Sequence, residues 1–129
     1  RAQDASQGHI HYSWKALRTD AANVAGALKS SLYATPAVAP ASPWLAGTAP
    51  SAPAANVAGT RGSYEVRWTP DPTARFVAVQ VCKGSQWTVL KVLGANVGSC
   101  KLPADATAVT LTTIGRNGKA SAASNPPLR

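Results

Sequence analysis

The sequence predicts a mainly β protein: a seven-stranded sandwich preceded by a short strand, one α-helix and a proline-rich linker. Three observations carry this. Residues 63–69, SYEVRWT, set Tyr64, Val66 and Trp68 on one side of an extended chain and Ser63, Glu65, Arg67 and Thr69 on the other. A period of two marks a strand with one buried and one wet face. Pro36, Pro40, Pro43, Pro50 and Pro53 crowd into residues 34–53, where neither a helix interior nor a central strand can form. After residue 54, short β-rich runs alternate with turn signals at regular intervals.

In chain order, residues 1–8 are polar and irregular. Residues 8–14, GHIHYSW, alternate aromatic and β-branched side chains, the mark of a short strand. Thr19 or Asp20 suits a helix N-cap. Residues 21–33 place Val24, Leu28 and Leu32 on one helical stripe. Gly26 weakens that helix by roughly 1 kcal/mol relative to alanine, so it needs tertiary support. Thr35-Pro36 ends it. The linker carries Pro43-Trp44-Leu45 at its centre, and a tryptophan there is expected to dock.

Strands are then expected over residues 56–60, 63–69, 75–83, 86–93, 99–102, 108–114 and 119–124. In the third, Val77, Val79 and Val81 share one face, and Phe76, Ala78, Gln80 and Cys82 the other. Asn117-Gly118 is a hairpin turn signal. The domain organisation is therefore residues 1–33, 34–53 and 54–129.

The 129 residues carry a net charge of +8, with the basic side chains dispersed. A nucleic-acid site clusters Lys and Arg with interleaved aromatics, so a basic soluble surface is the reading and no nucleic acid is expected. No apolar run reaches the ~20 residues of a membrane span, and no signal-peptide pattern is present. A start at Arg1 is read as processing, proteolysis or truncation.

Cys82 and Cys100 form no CxxC and no metal-type cluster. A disulfide between them would close a loop of about eighteen residues, worth roughly 3 kcal/mol by chain entropy. Two buried thiols leave the same trace in sequence, and the disulfide is carried forward as the expectation.

Residues 54–127 resemble a fibronectin type III domain, of the wider immunoglobulin-like class. The matching stretches are VRWTP around Trp68, ARFVAVQV, and LPADATAVTLTTIGRNGKAS. One departure is that Thr107 stands where the family usually has a tyrosine before the sixth strand. The first third is similar to something else. GHIHYSWKAL, a helix, then SSLYATPAVAPASPWL resembles the end of a glycoside-hydrolase-like family, related to glycoside hydrolase family 10, found in bacterial exported lipoproteins. The resemblance implies that residues 8–14 and 21–33 are the last strand and helix of an upstream (β/α)₈ barrel. It also implies a periplasmic, outer-membrane lipoprotein or extracellular location.

Glycoside hydrolysis needs two carboxyl groups about 5–10 Å apart. The acids are Asp4, Asp20, Glu65, Asp71 and Asp105 alone: a cap, turns and a solvent-facing strand position, with no credible pair. This chain is expected not to be an enzyme, with any catalytic acids upstream. His9 and His11 lack a third ligand, so neither metal nor cofactor is expected. Ser30, Ser31 and Ser121 lack a triad and no glycine-rich phosphate loop is present. Trp14, at the end of a barrel strand, borders the parent's active site on the resemblance and is a candidate sugar platform; packing on the helix is the plainer role. Trp87, on an edge strand, is a second candidate sugar contact, with edge packing as its plainer role.

The expected function is a non-catalytic C-terminal accessory region, acting as spacer, buttress or docking module of an exported glycoside-hydrolase-like protein. Its partners are the upstream barrel and polysaccharide or peptidoglycan, and residues 8–33 are a surface for self-association. The alternative is a carbohydrate- or cell-wall-binding module in its own right.

Overall fold

The computed structural model describes residues 14–129 except Leu32 and Pro70. The chain divides into two compact units, Arg1–Ala34 and Thr35–Arg129.

The first unit contains α1 (Trp14–Arg18), a single 3₁₀ turn (Ala21–Asn23) and α2 (Val24–Ser30). Residues 8–13 of the expected strand lie outside the described residues. Its last residue, Trp14, opens a helix instead, because Lys15, Ala16, Leu17 and Arg18 are all strong helix formers. The expected helix over 21–33 is shorter than predicted. Asp20, Ala22 and Asn23 hold positive φ angles of 47°, 56° and 56°, a kink that no continuous helix passes. The N-cap of α2 is Asn23, not Thr19 or Asp20, and it makes no side-chain cap bond; Asp20 Oδ1 instead reaches across the kink to accept the Ala25 N–H at 2.7 Å. The Thr19 hydroxyl turns back to the Lys15 carbonyl. At the other end, the Ser31 N–H and hydroxyl both donate to the Ala27 carbonyl and close the helix. No residue of α2 is buried. Val24 is exposed and Leu28 half-buried.

The second unit holds two small antiparallel sheets. Its strands are β1 (Ala54–Ala58), β2 (Glu65–Thr69), β3 (Ala74–Lys83), β4 (Gln86–Gly94), β5 (Ser99–Lys101) and β6 (Ala108–Gly115). One sheet runs β1-β2-β5 and the other β4-β3-β6. Tyr64, Val66, Trp68, Cys100 and Leu102 from the first meet Val77, Val79, Val81, Val109 and Leu111 from the second in one core, as in a β-sandwich. The period-two pattern around Trp68 is present: Val66 and Trp68 are buried, Arg67 and Thr69 exposed. Trp68 donates its indole N–H to the Ala95 carbonyl at 3.3 Å, so the indole is buried with its polar edge partnered. Burying the aliphatic members contributes about 1.5–3 kcal/mol each.

The strand count differs from expectation. Six strands are present among the described residues, and residues 119–124 do not form a seventh. They meet β6 in two isolated bridges, Ile114–Ala120 and Leu111–Ser124, between which the register slips by one residue. The Ser121 hydroxyl accepts the Thr113 N–H at 3.1 Å, taking a donor that a ladder carbonyl would otherwise receive. The first strand starts and ends two residues earlier than expected. Gly59 stops it with φ +99°, and a Cβ there would lie 2.5 Å from the Ser63 carbonyl oxygen.

The proline-rich segment is docked, although not through Pro43-Trp44-Leu45 as expected. Trp44 is 79% exposed and Leu45 is exposed as well. Pro50 and Pro53 are buried in its place. Ser42 donates its N–H to the Asn117 carbonyl at 2.8 Å. Ser51 donates its N–H to Asp71 Oδ2 at 2.8 Å and accepts the Thr113 hydroxyl at 2.6 Å. Lys119 Nζ reaches the Gly47 carbonyl at 2.7 Å. The tryptophan is displayed on a tight turn, closed by the Leu45 N–H to the Ser42 carbonyl.

Candidate functional site

Asp20 receives the Ala25 N–H. Glu65 takes the Arg67 guanidinium at 2.7 and 2.8 Å and the Ser99 hydroxyl at 3.2 Å. Those bonds, Arg67 foremost, hold its carboxyl below the usual range. Asp71 accepts the Thr73 hydroxyl and N–H and the Ser51 N–H, which push its carboxyl far below the ordinary value. Asp105 pairs with Lys83 at 3.1 Å. Each described acid thus has a hydrogen-bond or ion-pair donor beside it. Asp4, His9 and His11 lie outside the described residues. Among those described, no cluster of three His, Cys, Asp or Glu side chains is placed to hold a metal.

The expected disulfide is not formed. Cys82 and Cys100 are both free and buried. Cys100 belongs to the core between the sheets, where burial raises its thiol pKa. Cys82 follows Val81 on β3, and Val81 is the one that faces the core. Successive side chains on a strand face opposite ways, so Cys82 lies on the outer side of its sheet and the two sulfurs have the sheet between them. Strand parity carried this signal; sequence separation did not.

The candidate sugar platforms belong to different units. Trp14 is 73% exposed at the start of α1 in the first unit, and Trp87 is 51% exposed on β4 in the second. Trp87 pairs in register with Cys82, while the next exposed ring on that sheet, Phe76, pairs with Gly94. Six residues of β3 separate the two positions, roughly 20 Å at strand rise. They do not form one stacking platform.

A concavity of the second unit lies elsewhere. Residues 37–42 run beside the outer face of the β4-β3-β6 sheet and leave a groove of about 290 Å³. Phe76, Val92 and Ile114 supply apolar lining, Val38 and Pro40 come from the linker, and Arg75 and Arg116 bring the charge. The reading of β3 put Phe76 on the face away from the valines, which holds. It did not single out Arg75 or Arg116, because the turn and register slip that bring them to the groove depend on pairing with β6.

No protein-family model, curated protein or solved structure matches this chain. No helix among the described residues is long and apolar enough to cross a membrane.

Proposed function

We propose that the chain is a non-catalytic accessory region of an exported glycoside-hydrolase-like protein, its second unit a fibronectin type III-like module serving as spacer, buttress or docking surface. The docked linker carries this reading most directly. A segment held by Ser42, Ser51, Asn117 and Lys119 enters the sandwich as a fixed strap, which suits a part that positions its neighbour. The strand order β1-β2-β5 and β4-β3-β6, with the last segment bridging β6, supports the fibronectin-like assignment. The engaged acids support a non-catalytic role. The exported location and the upstream barrel rest on the resemblance of residues 8–45 alone.

The test is the reading frame upstream of Arg1. Seven further strand–helix units there are expected; a frame encoding anything else removes the proposal. The exposed Val24 of α2 supports self-association through residues 8–33. Sedimentation should then show a concentration-dependent dimer that Val24→Ser weakens.

A second reading, a carbohydrate- or cell-wall-binding module, is favoured by Trp87 alone, half-exposed on the open edge strand β4. Retention of the chain by insoluble peptidoglycan, abolished in Trp87→Ala, would select it over the first.

A further inference from the structure

We propose that the groove between residues 37–42 and the β4-β3-β6 sheet binds a small organic carboxylate, its apolar body on Phe76 and Ile114 and its anionic head between Arg75 and Arg116. This does not depend on the accessory reading. The local backbone is the first support. Ala74 pairs with Gly115 and Phe76 with Ile114, so Arg75 has no partner in β6. In an even strand Arg75 and Phe76 would point to opposite faces. Here both line the groove, with the guanidinium 5.1 Å from the Phe76 ring centre. A bulge that re-aims a side chain in this way is a recurrent device beside binding sites, and the stacked ring orients the guanidinium.

Arg116 is also held from behind. It follows β6 in a turn whose next residue, Asn117, is buried. The Asn117 side-chain amide donates to the Ala46 and Gly47 carbonyls at 3.4 and 3.2 Å, and the Asn117 backbone carbonyl accepts the Ser42 N–H. Arg116 therefore rises from backbone fixed against the strap.

Charge and size name the ligand class. Among the described residues neither guanidinium has an acidic partner, since the two ion pairs are Arg67–Glu65 and Lys83–Asp105. No acid lines the groove. Two unpaired guanidiniums beside an apolar floor favour an anion, and the planar fork matches a carboxylate. A volume of about 290 Å³ sits at the small end of ligand sites. It accepts a single ring with a short acidic arm and excludes a polymer chain.

The test titrates 3-phenylpropionate into the ¹⁵N-labelled 129-residue chain at neutral pH and low salt, with 3-phenylpropanamide and inorganic phosphate as comparison probes. Saturable shifts are expected at the amides of Phe76, Ile114 and Arg116, with both comparison probes weaker by about tenfold or more. Arg75→Gln and Arg116→Gln should each weaken the carboxylate by about fivefold or more. Arg116→Gln lies outside the strands and leaves the bulge untouched, so its effect reads on the ligand alone. Equal affinity for the amide, equal affinity for phosphate, saturation mapping to another surface, or no saturable shift below about 20 mM each overturns the proposal.

Discussion

The Thr113 hydroxyl, on fully buried β6 backbone, donates to the Ser51 carbonyl at 2.6 Å. Asn117, the other buried polar residue among those described, turns its amide to Ala46 and Gly47. Both thus spend their side chains on the strap. Polar groups in this core act as fasteners for a segment of which only Pro50 and Pro53 are buried.

Thr113→Val keeps the shape and removes the donor, leaving the Ser51 carbonyl without its partner. A loss of about 1–2 kcal/mol is expected from urea midpoints at unchanged m-value. Faster proteolytic cleavage within residues 35–53 should accompany it. Equal cleavage rates would show that the bond does not hold the strap.

Gly118→Ala attacks the same joint sterically. Gly118 has φ +75°, and a Cβ there would lie 2.6 Å from the Pro40 carbonyl oxygen and 2.9 Å from the Ala41 Cα. Left-handed backbone costs a non-glycine residue about 1–2 kcal/mol before any clash. The variant should lose at least that much, with amide shifts concentrated at residues 37–45.

Leu111→Ala and Trp44→Ala separate core from display. Leu111 is fully buried and should cost about 3 kcal/mol. Trp44, larger but exposed, should stay within about 0.5 kcal/mol of the parent. A strongly destabilised Trp44→Ala would place that indole in a contact the monomer does not make.

Acid should weaken the fold through Asp71 and Glu65. Both carboxyls are lowered in the folded chain, so their contribution is complete above the unfolded carboxylate range, about pH 4. It is lost as pH falls through the lowered folded values. Asp71→Asn should be less stable than the parent at pH 7, and the difference should shrink below about pH 3.9. A constant difference from pH 7 to pH 2 would contradict the hydrogen bonds assigned to Asp71.

Thiol labelling checks the cysteines. Non-reducing denaturation with iodoacetamide should add two labels per chain, and the native protein should take up neither quickly, because both thiols are buried.

Much of the sandwich was readable in the sequence. Alternation at Tyr64–Trp68 and Val77–Val81 is a local property, and burial of one face follows from it directly. The missing features are those set by pairing between distant segments. Residues 119–124 alternate plausibly, yet a one-residue slip and the Ser121 hydroxyl break their ladder. Arg75 looks like an ordinary strand residue until β6 declines to pair with it. Trp44 suggested docking by its size, whereas Ser42, Ser51 and two small prolines do the docking. Trp14 ends an aromatic run whose alternation suggests a strand, and the helix formers after it decide its state.

The slip between Val79 and Gln80 in the β3–β4 ladder leaves Leu90 unpaired and lets both Leu90 and Leu93 turn inward, while Lys91 stays exposed. β4 is therefore an uneven border, carrying a cation where a visiting strand would need to lie flat. Such a border disfavours edge-to-edge pairing between neighbouring molecules. Concentrated solutions of this protein should stay clear, and straightening that border by deleting Leu90 should make them cloud.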